Sequence, residues 1–191
     1  MTSTPVRLWT VDDYHRMIEA QILTNEDRVE LLEGQILQMS PQQPPHAATT
    51  QRASDSLRTL LTGRATIRVQ LPITLRPNSE PEPDVAVVGI NADEYQESHP
   101  TPDDIFLIVE VADTTLYTDR KQKASAYAKA EIREYWVLNV QKRQVYVFRQ
   151  PKGENYQQEI LLNDETTLSL VAFPEIIVST NQLFPPKKRS P

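Results

Sequence analysis

Asp84, Glu110 and Lys123 are charged residues standing where the neighbouring sequence calls for burial. Asp84 directly precedes the strand-like run Val85 to Val88, at the mouth of a sheet. Glu110 continues Ile105 to Val109, an unbroken apolar run that marks a strand covered on both faces. With a period of two, Glu110 is predicted to share a face with Phe106 and Ile108. A carboxylate there is costly unless it is paired, hydrogen-bonded or bound to a cation. Lys123 leads a helical stripe with Ala126, Tyr127 and Ala130, so it points with the buried side, whereas Lys121, Ser125 and Lys129 take the opposite face. Arg120, Lys121 and Lys123 also crowd what reads as the first turn of that helix, where the macrodipole disfavours positive charge by up to about 1 kcal/mol each.

Two carboxylates from adjacent strand ends with a lysine facing them suit magnesium-dependent hydrolysis of a phosphodiester. Carboxylate oxygens hold a hard cation, the cation activates water and offsets charge developing on phosphorus, and the ammonium orients the nucleophile or stabilises the transition state. Each residue also has a plainer reading. Asp84 can be a turn aspartate capping backbone amides, Glu110 half of a buried structural ion pair, and Lys123 a lysine whose stem covers Tyr127 while its head stays in water. His46 follows a proline pair and opens a helix, and is read as solvated; His15 and His99 show no partner pattern.

The elements that must position these residues can be read along the chain. Thr10 and Asp13 form a capping-box pattern before a short helix whose apolar face is Tyr14, Met17, Ile18 and Ile22. Residues 28–41 read as a hairpin turning at Glu33-Gly34. A helix is predicted over 46–61, after Pro41, Pro44 and Pro45 break the chain. Residues 66–76 favour strand, with Pro72 implying an edge or a bulge, and NSEPEPD is a stiff loop feeding the strand at 85. Residues 91–104 read as a surface loop, and a strand at 105, a helix from about Asp119 to Ala130 and a strand at 135 follow in the order of a crossover unit. Tyr135 to Val140 and Gln144 to Arg149 are two strands across a short turn, and the last forty residues give shorter β-like pieces.

Composition narrows the chemistry. The 191 residues contain no cysteine, which excludes disulfides, thiolate zinc sites and cysteine nucleophiles. Four glycines against fifteen prolines leave no phosphate-cradling GxGxxG or GxxxxGK[ST] loop, so any metal is expected to be held mainly by oxygen. No apolar stretch is long enough for a membrane span and no signal-peptide pattern is present, so the expected compartment is the cytoplasm. The net charge of −6 does not favour long-range attraction of a polyanion.

Three segments carry a resemblance: EPDVAVV at 82–88, LIVEVADTT at 107–115 and DRKQKASAYAKAEIREYWVLNV at 119–140. With supporting matches in RLWTVDDYHRMIEAQIL and RVELLEGQILQMSP, the chain resembles the Uma family of restriction-endonuclease-like proteins, within the PD-(D/E)xK nuclease superfamily. The resemblance implies an α/β fold: a restriction-endonuclease-like core with a mixed central sheet flanked by helices, plus an N-terminal helix and hairpin. With no linker long enough to divide the chain, it reads as one such domain over 1–184, followed by a basic tail at 185–191 expected to be disordered. It makes Asp84 the aspartate of the PD motif and Glu110 the acidic residue of the second motif. The superfamily's usual lysine position holds Ala112, and Lys123 matches the family's helical lysine instead. Glu30 matches a further acidic residue near the metal, and Gln70 a glutamine placed before the proline-containing strand. ADTT stands where SPST is more usual, and Ala130-Glu131-Ile132 where Ala-Gly-Val is, which bears on loop shape alone.

The implied function is Mg²⁺- or Mn²⁺-dependent endonucleolytic hydrolysis of DNA by a homodimer. Asp84 and Glu110 would be the metal ligands, Lys123 would position or activate water, Glu30 would complete the acidic cluster, and Gln70 would stand behind it. The alternatives are an inactive nuclease-fold binding or assembly module, and a hydrolase of a smaller phosphodiester. The most useful single observation is whether Lys123 reaches the space between Asp84 and Glu110.

Overall fold

The computed structural model describes residues 6–187. Its elements are α1 (Val11–Glu19), β1 (Val29–Leu32), β2 (Gln35–Gln38), α2 (Pro44–Leu60), β3 (Thr66–Val69), β4 (Val85–Val88) and β5 (Ile105–Ala112). After β5, α3 (Leu116–Thr118), a π-helical segment (Asp119–Lys123) and α4 (Ala124–Lys129) run end to end as one helical stretch. Then come β6 (Glu134–Asn139), β7 (Gln144–Lys152), β8 (Asn155–Leu162), β9 (Thr167–Ser169) and β10 (Ile177–Ser179). Six strands form a mixed sheet in the order β3-β4-β5-β6-β7-β8, parallel only between β5 and β6. The crossover helix expected between those two strands is the α3–α4 stretch. No described helix is long and apolar enough to cross a membrane.

Alternation along the central strands divides the core into two layers. Val85, Val87, Leu107, Val109, Trp136 and Leu138 face α2 and the C-terminal segment. Ala86, Val88, Ile108, Ala112, Tyr135 and Val137 face α4, whose Ala124 and Tyr127 pack on them. Each fully buried aliphatic side chain contributes about 1.5–3 kcal/mol, so both layers are needed to hold the sheet ends still. In the first layer Glu134 is fully buried and bonded by Arg149 Nε at 2.9 Å, Trp136 Nε1 at 3.1 Å and the Val171 N–H at 2.7 Å.

The N-terminal hairpin is fastened at its turn. Glu33 and Gly34 take φ of 48° and 79°, the left-handed pair that a two-residue turn needs. The chain crosses so close that a Cβ on Gly34 would lie 2.6 Å from that of Leu8. Gly34 accepts from the Trp9 N–H and donates to the Asn78 carbonyl, which places β1 beside the 78–84 loop.

Several expectations change. The Thr10–Asp13 capping box forms, but the buried residues of α1 are Val11 and Tyr14, while Ile18 and Ile22 are exposed. The strand expected over 66–76 ends at Val69, because Gln70 turns into the left-handed region at φ 52° before Pro72. Phe106 does not share a face with Glu110. A register shift pairs Val88 with Ile105 and Val87 with Leu107, so Phe106 packs on the opposite layer while Ile108 stays with Glu110. The helix begins at Leu116, so Lys123 lies well inside the helical stretch rather than in a first turn. At the C-terminal end β8 is eight residues long and joins the main sheet. Of the expected tail, Pro185 accepts from Arg143 and Lys187 pairs with Asp164 at 2.9 Å, while 188–191 lie outside the described residues.

Candidate active site

Asp84 stands at the start of β4, where its carboxylate reaches across to the neighbouring strand. Its Oδ2 accepts from the Val111 N–H at 2.8 Å and lies 3.1 Å from His46 Nε2. Its Oδ1 accepts only from Gln70 Nε2, at 3.2 Å. The left-handed turn at Gln70 ends β3 beside Asp84, so Gln70 belongs to the same group of residues.

Glu110 comes from the second half of β5, buried with Ile108 and Ala112 on the layer facing α4. Its Oε1 accepts from Lys123 Nζ at 3.0 Å and from the Tyr127 hydroxyl at 2.8 Å. Its Oε2 has only a long contact, 3.4 Å, with the Asp84 N–H. Glu30, on β1, is buried as well and lies 3.2 Å from Lys123 Nζ through Oε1, while its Oε2 accepts from the Glu82 N–H at 3.1 Å. The Lys123 ammonium therefore sits between Glu110 and Glu30, with Asp84 on the far side of Glu110.

The helical stretch explains how Lys123 gets there. Asp119 and Lys123 bound a π-helical segment, a wider turn of the kind that recurs at functional sites, and both side chains line the same cleft. Thr115 donates to Asp119 Oδ2 at 2.5 Å, tying the start of the stretch to its buried carboxylate.

Charge in this cleft is unevenly matched. Burial pushes the Glu110 carboxyl above the ordinary glutamate range and Asp84 adds to that, while Lys123 opposes it. Burial pulls the Lys123 ammonium down, but Glu110, Glu30 and Asp119 outweigh it and hold the lysine above its usual value, so it stays charged. Burial lifts Asp119 to about 6, helped by Asp84 and Glu30 and opposed by the Thr115 bond and Lys123. Glu82 is raised, first by burial and then by Glu30. Burial lowers His46, but the bond to Asp84 and its charge more than reverse this. Three raised carboxyls beside a largely buried ammonium in one cleft mark it as a candidate functional site.

The cleft has a volume of about 500 Å³ and is rimmed by residues 38–43 and by Asp113, Thr114, Thr115 and Thr118. Asp84, Glu110, Lys123, Glu30 and Gln70 all line it. A second cleft, about 420 Å³ around His15, Thr74 and His99, holds none of them. Asp119 and Glu82 line the main cleft without having been singled out by sequence, and His46, read as solvated, instead lines it with a side chain 17% exposed and Nε2 beside Asp84. Asp119 carries a signal that could have found it, since positions 119 and 123 share a helical face. His46 carries none, because only the fold brings α2 to Asp84.

The donor set suits a hard divalent cation. Glu30, Asp84 and Glu110 are buried against one lysine, and Asp84 Oδ1 and Glu110 Oε2 retain acceptor capacity. Among the described residues no group of three or more His, Asp or Glu side chains converges into a ready-made cage.

The family model described as "Uma2: Putative restriction endonuclease" matches residues 11–181. Among solved structures, the chain is similar to one described as "a putative nuclease belonging to DUF820 from Anabaena variabilis ATCC 29413", with a TM-score of 0.69 at 17% identity, covering 94% of this chain and 98% of that one. At that identity the likeness is one of fold. No curated protein gives a significant match.

Proposed function

The chain belongs to the Uma2 family, whose description is "Putative restriction endonuclease", and on that premise we propose that it is an Mg²⁺- or Mn²⁺-dependent endonuclease acting on DNA phosphodiester bonds. One observation carries the reading: four buried carboxylates (Glu30, Asp84, Glu110 and Asp119) and one ammonium share a cleft in which negative charge exceeds its internal partners. Asp84 and Glu110 would hold the cation through Oδ1 and Oε2, with a main-chain carbonyl near Val111. When bound, the cation lowers the pKa of water and offsets charge developing on the phosphoryl oxygens. Lys123 orients the attacking water and stabilises the anionic transition state from its place beside Glu110. Glu30 shares that ammonium and fixes its height in the cleft, and Gln70 steadies the Asp84 carboxylate. A homodimer is part of the proposal, because cutting both strands of a duplex takes two sites; it rests on analogy between folds, and light scattering tests it.

The purified protein with Mg²⁺ or Mn²⁺ is expected to nick DNA, and Asp84→Ala, Glu110→Ala or Lys123→Ala to abolish the nicking. Wild type and variants equally silent, or equally active, across a broad substrate panel would sink the assignment.

The lining itself favours a second reading. Six carboxylates (Glu30, Glu82, Asp84, Glu110, Asp113, Asp119) stand in the cleft against Arg28 and Lys123. A duplex carries dense negative charge and binds through basic surface, so this balance suits a smaller phosphodiester or a non-catalytic module. A cleavage screen from dinucleotides to polymers separates the first from DNA. A module without a catalytic remnant shows no Mg²⁺-dependent stabilisation that Asp84→Ala removes.

A further inference from the structure

We propose that His46 is a positioning residue for the cation site: through Nε2–H it fixes the Asp84 carboxylate so that Oδ1 is presented to the metal. The inference rests on the metal-dependent reading above. His46 opens no catalytic contact of its own. It stands in the first turn of α2, a helix started by Pro44 and Pro45 after Gln43, whose side chain makes no capping bond. With the helix start stiffened by two prolines, the imidazole is delivered to one place, its side chain 17% exposed and Nε2 3.1 Å from Asp84 Oδ2.

The two oxygens of Asp84 are held differently. Oδ2 accepts from the Val111 N–H at 2.8 Å and has His46 Nε2 3.1 Å away. Oδ1 has a single bond, the 3.2 Å contact from Gln70. A carboxylate held mainly through Oδ2 has its rotation restricted, and the less engaged Oδ1 of this cleft-lining residue keeps acceptor capacity. Such outer partners set ligand orientation in metal sites.

The other ring nitrogen argues against a role in the fold alone. Among the described residues the buried His46 Nδ1 has no hydrogen-bond partner, which a histidine placed for packing would not need to tolerate. If Nε2 carries the proton, Nδ1 is a bare acceptor; the contact to Asp84 is therefore obtained at the expense of an unmet group.

Two measurements test this. Nitrogen-15 NMR of the metal-free protein, at a pH where His46 is neutral, is expected to show the Nε2–H tautomer; an Nδ1–H tautomer overturns the proposal without reference to any metal. Titration with Mn²⁺ alone, followed by calorimetry, is expected to give His46→Phe a roughly 10- to 100-fold weaker dissociation constant, with the metal-free melting temperature little changed. His46→Gln, which keeps an N–H donor, is expected to recover most of that affinity. If Asp84→Ala abolishes Mn²⁺ binding and His46→Phe leaves it intact, the positioning role is wrong and the metal reading stands. If wild type binds no Mn²⁺ at all, both fall. Should His46→Phe fail to fold, the tautomer and the His46→Gln titration still decide.

Discussion

Glu110 on β5 and Glu134 on β6 are both buried carboxylates on neighbouring parallel strands, yet they face opposite layers of the sheet and are treated oppositely. Glu134 has one cation to itself, Arg149, with the Trp136 indole and the Val171 amide completing its bonds. Among the described residues Glu110 shares its one cation with Glu30, leaves Oε2 with a 3.4 Å contact, and opens onto a cleft. A buried charge that is fully matched belongs to the architecture; one that is shared and half-bonded is poised for something else. The contrast teaches that burial of an acid is not by itself a mark of function, whereas the ratio of acids to cations around it is informative.

The sharpest way to break the comparison is to neutralise each glutamate. Glu134→Gln strands the Arg149 guanidinium in a buried layer and is expected to cost about 3–5 kcal/mol in urea unfolding. Glu110→Gln removes a charge that burial already disfavours, so metal-free stability should hold or rise while Mg²⁺-dependent cleavage disappears. Equal destabilisation by both would erase the distinction.

Next in size is Lys123→Ala. It should lower the single-turnover cleavage rate by at least about 10²–10³-fold, the usual loss on removing one transition-state donor, which a nicking assay reads as loss of activity. Arg149→Lys, on the architectural side, should leave turnover alone.

Added Mg²⁺ should raise the stability of wild type by about 2.7 kcal/mol at a hundred times its dissociation constant, a gain that Asp84→Ala and Glu110→Gln remove and Glu134 variants keep. Thermal melts with and without the ion measure it.

The smallest effect is in pH. Burial raises Asp119 to about 6 in the folded chain against an ordinary value of 3.8. The folded state therefore binds this proton more tightly than the unfolded one. Its contribution is favourable while Asp119 is protonated, and it is lost as pH rises from about 4 through about 6. Relative to Asp119→Asn, metal-free wild type should lose on the order of 1–3 kcal/mol over that window, seen in denaturation at stepped pH. A flat difference would place Asp119 with the matched charges.

Much of the site was legible because its residues break local patterns. Glu110 interrupts an apolar strand, and Lys123 sits on the apolar stripe of a helix; each anomaly lies within a dozen residues of its explanation. Glu30 and Gln70 had no such local mark and came by resemblance, yet the fold brings both to the cleft. What could not be read depended on contacts between distant segments. His46 meets Asp84 only because α2 packs across the sheet end, and Glu134 finds Arg149 only through the β6–β7 register. Phe106 was placed on the wrong face because a bulge opposite Val88 shifts the parity of β5, which no alternation within that strand announces.

The sequence by itself determined the elements, the kinds of group available and the exclusion of thiolate chemistry, since these depend on residue type and short-range periodicity. The tertiary structure alone decided which acids share a cation, which oxygens are left half-bonded, and that the lysine stands between Glu30 and Glu110. Those properties are sums over segments far apart in the chain, and charge pairing is set by separations of a few ångströms that only the packed sheet and its two covering layers fix.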